Sequence, residues 1–159
     1  MKALSLTQPW ASLVAIGAKK IETRSWSAQY RGPLAIHAAK SFPVCAKDYA
    51  SSPVFADALR ELQIPGKTIV ESLPTGCIIA VCSMVDCQPT SGKRPGHGSN
   101  PKYADWVHSL SLQERAFGDY HVGRFGWFLE EARMLAEPIP AKGALGLWSF
   151  DHPSLEALV

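Results

Sequence analysis

The sequence predicts an α+β protein built on a small mixed or antiparallel β-barrel of five to six strands, with two to three flanking helices. Short runs of apolar residues with strand-like alternation recur along the chain, and segments with helical spacing interrupt them irregularly. A regular alternation of strands and helices, which would favour a parallel sheet, is absent. Because no internal repeat or long linker divides the 159 residues, we expect a single domain over 1–159.

The first half of the chain begins with a strand at residues 3–6. Thr7 and Pro9 then supply a capping hydroxyl and a first-turn proline for a helix that Gly17 ends. The remaining predicted elements of this half are strands at 20–26 and 34–39 joined by a YRGP turn, a short helix at 43–50, and a clearer helix that opens at Ser52 and Pro53 and carries Phe55, Ala58, Leu59 and Leu62 at helical spacing.

The second half contains the most apolar segment, GCIIAVCSMVDC at 76–87, which we interpret as a central strand buried on both faces. Residues 88–102 are rich in Gly, Pro and Ser and predict a mobile loop. The elements predicted after this loop are a helix with Trp106, Val107 and Leu110, a capping box of Ser111 and Glu114 for a turn that ends at Gly118, a long strand at 124–137, a PIPAKG turn, and a closing strand at 145–150.

Composition and charge exclude several classes of protein. A formal net charge of +2 does not indicate a strongly basic nucleic-acid-binding domain, so any polyanion site must come from local clustering. The chain has no apolar run long enough to span a bilayer and no signal-peptide core. We therefore expect no membrane partner and a cytoplasmic location, or a nuclear one in a eukaryote.

Standard catalytic and metal-binding signatures are missing from the sequence. It has no nucleophile elbow, phosphate loop, dinucleotide fingerprint or His-x-x-x-His pair. The spacing of Cys77, Cys82 and Cys87 is wrong for a compact zinc site, and we expect buried free thiols. The sequence predicts no metal and no cofactor.

The densest charged cluster is GAKKIETRSW at residues 17–26. On a strand, alternation places Glu22, Arg24 and Trp26 on one face and Thr23 on the other. Lys19 converges with Glu22 only if it sits in the turn after Gly17. The cluster is either an exposed ladder of charges or a site in which Trp26 stacks on a base while the cations meet phosphate.

Two other stretches offer partners for such a site, each with a structural alternative. TQPW puts Gln8 and Trp10 at a helix start, although Trp10 is also typical of a core residue. FGDYHVGRFGW carries Asp119, Tyr120 and Arg124 among glycines, although Asp119 is also typical of a turn cap. His37, inside a predicted strand, is either a core histidine or a catalytic one.

The motif residues then identify a family. The sequence resembles the ASCH (activating signal cointegrator homology) domain of the PUA-like superfamily, whose hallmark Gly-x-Lys-x-x-Glu-x-Arg is matched by GAKKIETR at Gly17, Lys19, Glu22 and Arg24. The flanking stretches SLTQPWASLV, SWSAQYRGPLAIHAAK, LPTGCIIAVCSMVDC and EPIPAKGALGLW agree as well. Together they run from Leu4 to Trp148.

The resemblance implies a PUA-like β-barrel with a cleft that holds nucleic acid and that the motif residues face. We therefore expect RNA or single-stranded nucleic acid as the partner. The residues predicted to bind it are Gln8, Trp10, Lys19, Arg24, Trp26, Arg31, His37, Lys40, Asp119, Tyr120 and Arg124.

The family also implies an enzymatic alternative, because some members are acetylcytidine amidohydrolases and ribonuclease activity is attributed to others. In that case a metal-independent hydrolase would act on a modified nucleoside or on RNA. Lys19 and Glu22 are the catalytic candidates, with Thr23 and Tyr120 less favoured. The amidohydrolases have a threonine where this chain has Glu22. A third, weaker hypothesis is a protein-interaction module that uses the loop at 88–102.

Overall fold

A curled, mixed sheet of six strands organises residues 1–92 and 102–156, which the computed structural model describes. Its strand order is β2-β7-β4-β3-β1-β8, in which β1 and β3 are parallel and every other pair is antiparallel. The strands are β1 (Lys2–Leu6), β2 (Ile21–Arg24), β3 (Gly32–Ala38), β4 (Cys77–Pro89), β7 (Phe125–Pro140) and β8 (Leu147–Ser149). The predicted α+β class and mixed sheet are confirmed.

The sheet curls into a half-barrel whose two ends approach each other. Arg24 on the edge strand β2 donates from Nη2 to the backbone oxygen of Ser5 on β1, at 3.2 Å. The concave side is filled by a core that includes Leu4, Ile36 and Trp127, all buried. Burial of this apolar side is the main favourable term that holds the curled shape.

The helices are shorter and more numerous than predicted. The described residues contain α1 (Trp10–Ala15), α2 (Val44–Ser51), α3 (Pro53–Ala58), α4 (Ile69–Ser72), α5 (Asp105–His108), α6 (Leu112–Phe117) and α7 (Pro153–Glu156). The predicted helix from Ser52 divides into α3 and a 3₁₀ turn at Arg60–Leu62. Helix α4 was not predicted, although Thr68 and Glu71 form a complete capping box at its start.

Helices α1, α3 and α6 pack on one another, whereas Leu155 of α7 belongs to a different buried cluster with Ala3 and Ala35 of the sheet. Leu13 of α1, Phe55 of α3 and Phe117 of α6 belong to one buried cluster, with the rings of Phe55 and Phe117 4.8 Å apart. Helix α1 ends where predicted, because Gly17 adopts a φ of +74° that an L-residue rarely takes. This turn redirects the chain into β2.

The long strand β7 corrects one predicted boundary. The sequence placed a turn at PIPAKG, but residues 138–140 continue β7, and Pro140 lies opposite Cys77 of β4. Strand β2 pairs with β7 only along Phe125–Phe128, so the far end of β7 has an edge without a strand partner among the described residues. A proline lacks an N–H and fits at such an edge.

Part of the segment predicted as a loop at 88–102 forms strands. Gln88 and Pro89 extend β4, and the short strands β5 (Ser91–Gly92) and β6 (Lys102–Tyr103) pair with each other. Residues 93–101 lie outside the described residues, so the rest of this prediction stays a prediction.

The four cysteines are free. Cys77 and Cys82 are buried as predicted, and burial raises the pKa of the Cys82 thiol to about 12. Cys87 is only half-buried, and Cys45 is exposed. Among the residues described, no group of three or more His, Cys, Asp or Glu side chains is arranged to hold a metal ion, and no helix is long and apolar enough to cross a membrane.

We predict that Gly126→Ala destabilises the protein by about 1–3 kcal/mol through overpacking. A Cβ at position 126 would lie 2.6 Å from Cη2 of Trp106 and 3.0 Å from Cγ2 of Ile21. Trp106 has little room to retreat, because its Nε1 donates to the backbone oxygen of Pro89 at 3.1 Å. Urea unfolding measures the change. Gly92→Ala is the control, since a Cβ there has nothing within 4 Å and should leave the midpoint unchanged.

Candidate functional site

The side chain of Lys19 is buried next to two carboxylates. The turn after Gly17 brings it inward, its side chain is 1% exposed, and Nζ donates to the backbone oxygen of Ile21. Nζ lies 3.9 Å from Oε2 of Glu22 and 3.8 Å from Oε1 of Glu114. The predicted convergence of Lys19 with Glu22 from the turn is therefore confirmed.

Glu114, which the sequence indicated only as a helix cap, is the second anion of this cluster. Its backbone N–H donates to Oγ of Ser111 as in a capping box. Its carboxylate, however, accepts hydrogen bonds from the backbone N–H groups of Lys20 at 2.9 Å and Ile21 at 3.3 Å. The hydrogen bond from the Glu114 N–H to Ser111 forms as the predicted capping box requires. The Glu114 carboxylate, instead of completing the box, connects α6 to β2.

Burial controls the ionisation of this cluster. Burial lowers the pKa of Lys19, while the charges of Glu22 and Glu114 act in the opposite direction and favour the ammonium. Burial, reinforced by the charge of Glu114, raises the pKa of Tyr120. The Tyr120 hydroxyl donates to Oε1 of Glu114 at 3.0 Å.

Glu22 also faces Arg24 on the same side of β2, as alternation predicted. Nε of Arg24 lies 3.0 Å from Oε1 of Glu22, but its N–H does not meet hydrogen-bond geometry, so the contact is an ion pair. The Arg24 side chain remains 27% exposed. One carboxylate is thus shared between a buried ammonium and a partly exposed guanidinium.

Thr23 connects this cluster to a second charged pair, Asp119 and Arg124. Oγ1 of Thr23 accepts a hydrogen bond from the backbone N–H of Asp119 at 3.1 Å, and the backbone oxygen of Thr23 accepts one from Nη2 of Arg124 at 3.1 Å. Nε of Arg124 lies 3.2 Å from Oδ2 of Asp119. Burial opposes ionisation of Asp119, but hydrogen bonds from His121 and the charge of Arg124 hold its pKa below the ordinary value.

Of these residues, Glu22, Thr23, Arg24 and Arg124 line a cavity of about 440 Å³, which we call the cleft, and Asp119 is not among its lining residues. Its wall includes Trp10, Glu22, Arg24, Trp26 and Arg124. The Trp26 ring is 38% exposed and meets the buried ring of Trp127 edge to face at 4.6 Å. Thr23 also lines the cleft, although alternation predicted that it points away from Glu22.

Two predicted ligand residues are absent from the cleft wall because they are buried. Gln8 is 0% exposed, and its amide bonds to Ser12 and to the backbone oxygen of Pro74. It positions the start of α1 and is not presented to a ligand. Tyr120 is 7% exposed and packs with Ile21 and Val107 behind the Lys19 cluster.

Three further predicted residues lie away from the cleft. Arg31 forms an exposed ion pair with Asp86, in which Nη2 is 3.3 Å from Oδ1. His37 and Lys40 line a different cavity at the ends of β3 and β4. Lys19 itself is not among the residues of the cleft wall, so its contact with the cleft runs through Glu22.

The curled mixed sheet and the charged cleft beside its edge define a barrel-like domain of the PUA-like type. The family model described as "ASCH domain" matches residues 4–137, and the chain therefore belongs to the ASCH domain family, whose members are generally RNA-binding. The Gly-x-Lys-x-x-Glu-x-Arg motif supplies the turn at Gly17, the buried Lys19 and the Glu22–Arg24 ion pair.

Two relatives share this family with the chain. It is similar to "Activating signal cointegrator 1" of Homo sapiens and of Mus musculus, at 34% identity over 88 residues in each case. The similar region is 53% of this chain but 14% of each relative. The similarity thus concerns one part of much longer proteins.

We predict that Glu114→Gln destabilises the protein by roughly 2–4 kcal/mol at neutral pH, because it leaves the Lys19 ammonium buried beside one carboxylate instead of two. Glutamine has one side-chain oxygen, whereas the N–H groups of Lys20 and Ile21 bond to different oxygens of Glu114, so the substitution removes one acceptor together with the charge. Urea unfolding measures the loss. Glu61→Gln, at an exposed position, should have no effect. The double variant Lys19→Met, Glu114→Gln should recover most of the loss, and equal destabilisation of the double variant would contradict the ion-pair explanation.

Proposed function

We propose that this protein binds RNA or another single-stranded nucleic acid and holds one unstacked base or nucleotide in the cleft. The observation that carries the proposal is that the Glu22–Arg24 ion pair and the rings of Trp10 and Trp26 line one cavity of about 440 Å³. A cavity of this size suits a small ligand group and is too small for a duplex. Family membership supports RNA as the partner.

The residues of the cleft offer separate contacts to each part of a nucleotide. The exposed part of Trp26 provides a face for a base, and such stacking contributes about 1–3 kcal/mol per base. Arg24 and Arg124 are each partly exposed and present guanidinium groups to phosphate. Glu22 presents a carboxylate to base N–H donors, since its position is already fixed by Lys19 and Arg24.

The same charges set the expected strength of binding. Arg24 and Arg124 already face Glu22 and Asp119, so the charge of the cleft is largely balanced within the protein. A phosphate must compete with these carboxylates for the guanidinium groups. We therefore expect modest affinity that falls as salt rises, and selectivity that depends on the base pocket more than on net charge.

We predict that Trp26→Ala and Arg24→Ala each weaken binding of a fluorescently labelled single-stranded RNA by at least ~5-fold in Kd, corresponding to the lower end of a base-stacking or charged contact. Fluorescence anisotropy at low salt measures the change. The matched controls are Tyr103→Ala, whose ring is as exposed as that of Trp26 at 38%, and Arg60→Ala, an exposed arginine paired with Asp57 outside the cleft. Unchanged binding by both cleft variants would refute the proposal.

Cys45 gives a second readout of the same contact. Its thiol is exposed and lies on the cleft wall, whereas Cys77 and Cys82 are buried. In a Cys87→Ser background, saturating RNA should slow the alkylation of Cys45 by N-ethylmaleimide. An alkylation rate that RNA leaves unchanged would place the ligand outside the cleft.

The hydrolase that the family resemblance also implies has less support from the arrangement of these residues. Lys19 is buried and donates to the backbone oxygen of Ile21, so the amine is not presented to a substrate in the cleft. Of the catalytic candidates, Glu22 and the less favoured Thr23 line the cleft.

Incubation with acylated nucleosides and with RNA tests the hydrolase alternative, and we expect no turnover by the wild-type protein. Turnover that Glu22→Gln abolishes would favour an enzyme over a binding module. Turnover that survives Glu22→Gln would come from another site or from a contaminant.

A further inference from the structure

A second and larger cavity, of about 960 Å³, lies at the ends of β3 and β4 beside the connection from β7 to β8. We call it the lysine cavity, because its cationic lining residues are Lys40 and Lys142; the buried His37 also lines it.

The charge of the lysine cavity is not balanced by the protein. None of its lining residues is acidic. Lys40 and Lys142 are both exposed, and neither forms an ion pair with another described residue. In the cleft, by contrast, Arg24 and Arg124 each face a carboxylate. The lysine cavity is therefore the more electropositive of the two.

The inner wall of this cavity is rigidly built around His37. Its Nδ1 lies 3.1 Å from Oγ of Ser5, and its Nε2 lies 3.1 Å from the backbone oxygen of Ala141. The loop packs so closely on the ring that a Cβ at Gly143 would lie 2.5 Å from Cε1 of His37. Burial lowers the pKa of His37, so the positive charge of the cavity comes from its two lysines.

Lys40 is also positioned by its surroundings. Gly76 has a φ of +70°, and a Cβ built there would lie 3.7 Å from Cβ of Lys40. The base of the lysine side chain therefore lies next to the start of β4, and Lys40 lines the cavity. Leu145, 98% exposed, stands on the opposite loop.

The lysine cavity and the cleft meet at one residue. Ser5 lines both. Its backbone oxygen accepts from Arg24, which lines the cleft, and its hydroxyl contacts His37, which lines the lysine cavity. The walls of the two cavities are therefore continuous at Ser5.

We propose that the lysine cavity is a phosphate subsite for the nucleic-acid strand whose base occupies the cleft. Lys40 and Lys142 contact backbone phosphates of the neighbouring nucleotide, and Leu145 packs against its sugar or base. The ligand class is then a single strand of at least two nucleotides, not a free nucleotide. This inference rests on the proposed function, and it is favoured by the continuity at Ser5 and by the unbalanced positive charge.

The double variant Lys40→Ala, Lys142→Ala tests this subsite by the salt dependence of binding. For single strands, each lysine–phosphate contact contributes about 0.7 to the slope of log Kobs against log salt, so the double variant should lower the slope for a hexanucleotide RNA by about 1.4. Its affinity for a nucleoside monophosphate should equal that of the wild type. The double variant Lys40→Arg, Lys142→Arg keeps both positive charges and should give the wild-type slope.

The control is Lys2→Ala, Lys67→Ala, which removes the same charge elsewhere: Lys2 donates to Oγ of Ser149 and Lys67 is exposed. Equal slopes for the two double alanine variants would reveal a general charge effect and overturn the subsite. A wild-type slope in Lys40→Ala, Lys142→Ala, with Arg24→Ala still impaired, would overturn the subsite alone. Wild-type protein that binds no RNA would overturn the proposed function together with it.

Discussion

The buried ammonium of Lys19 is the interaction on which the rest of the site depends. Removing a charge from water is costly, and the cost is offset here by Glu22, Glu114 and the backbone oxygen of Ile21. Satisfying this one charge joins the turn after α1, the edge strand β2 and helix α6. It also holds Glu22 in the position from which its other oxygen meets Arg24. Lys19 therefore shapes the cleft without lining it.

Charge is distributed differently in the two cavities, which suggests that they contribute differently to binding. In the cleft, cations and carboxylates alternate, so a ligand gains little from charge alone and must match the shape and the aromatic faces. In the lysine cavity, Lys40 and Lys142 face no carboxylate among the described residues. Phosphate contacts of that kind position a strand without reading its sequence. The cleft would then select the base, and the lysine cavity would hold the strand.

The sequence predicted much of this arrangement where the physics is local. Alternation placed Glu22 and Arg24 on one face, and the glycine at the end of α1 explained how Lys19 joins them. The role of Glu114 was not predictable, since it lies 94 residues from Lys20 and its spacing from Ser111 already had a local explanation. Gln8 was predicted as a ligand-binding residue because a polar residue at a helix start resembles one, but its amide is satisfied internally. The place of Pro140 in β7 was also not predictable from the sequence, because it depends on which strand edge remains unpaired.

The hydrogen bond from Arg24 to the backbone oxygen of Ser5 joins the edge strand β2 to β1. In the strand order of the curled sheet, β7, β4 and β3 lie between these two strands. Both residues line the cleft, so the cleft exists only while the sheet is curled and complete. A ligand that occupies it is bound by the native state and not by the unfolded chain, and mass action then stabilises the fold by RT ln(1 + [L]/Kd). The free energy of unfolding of the protein therefore reports the concentration of free ligand.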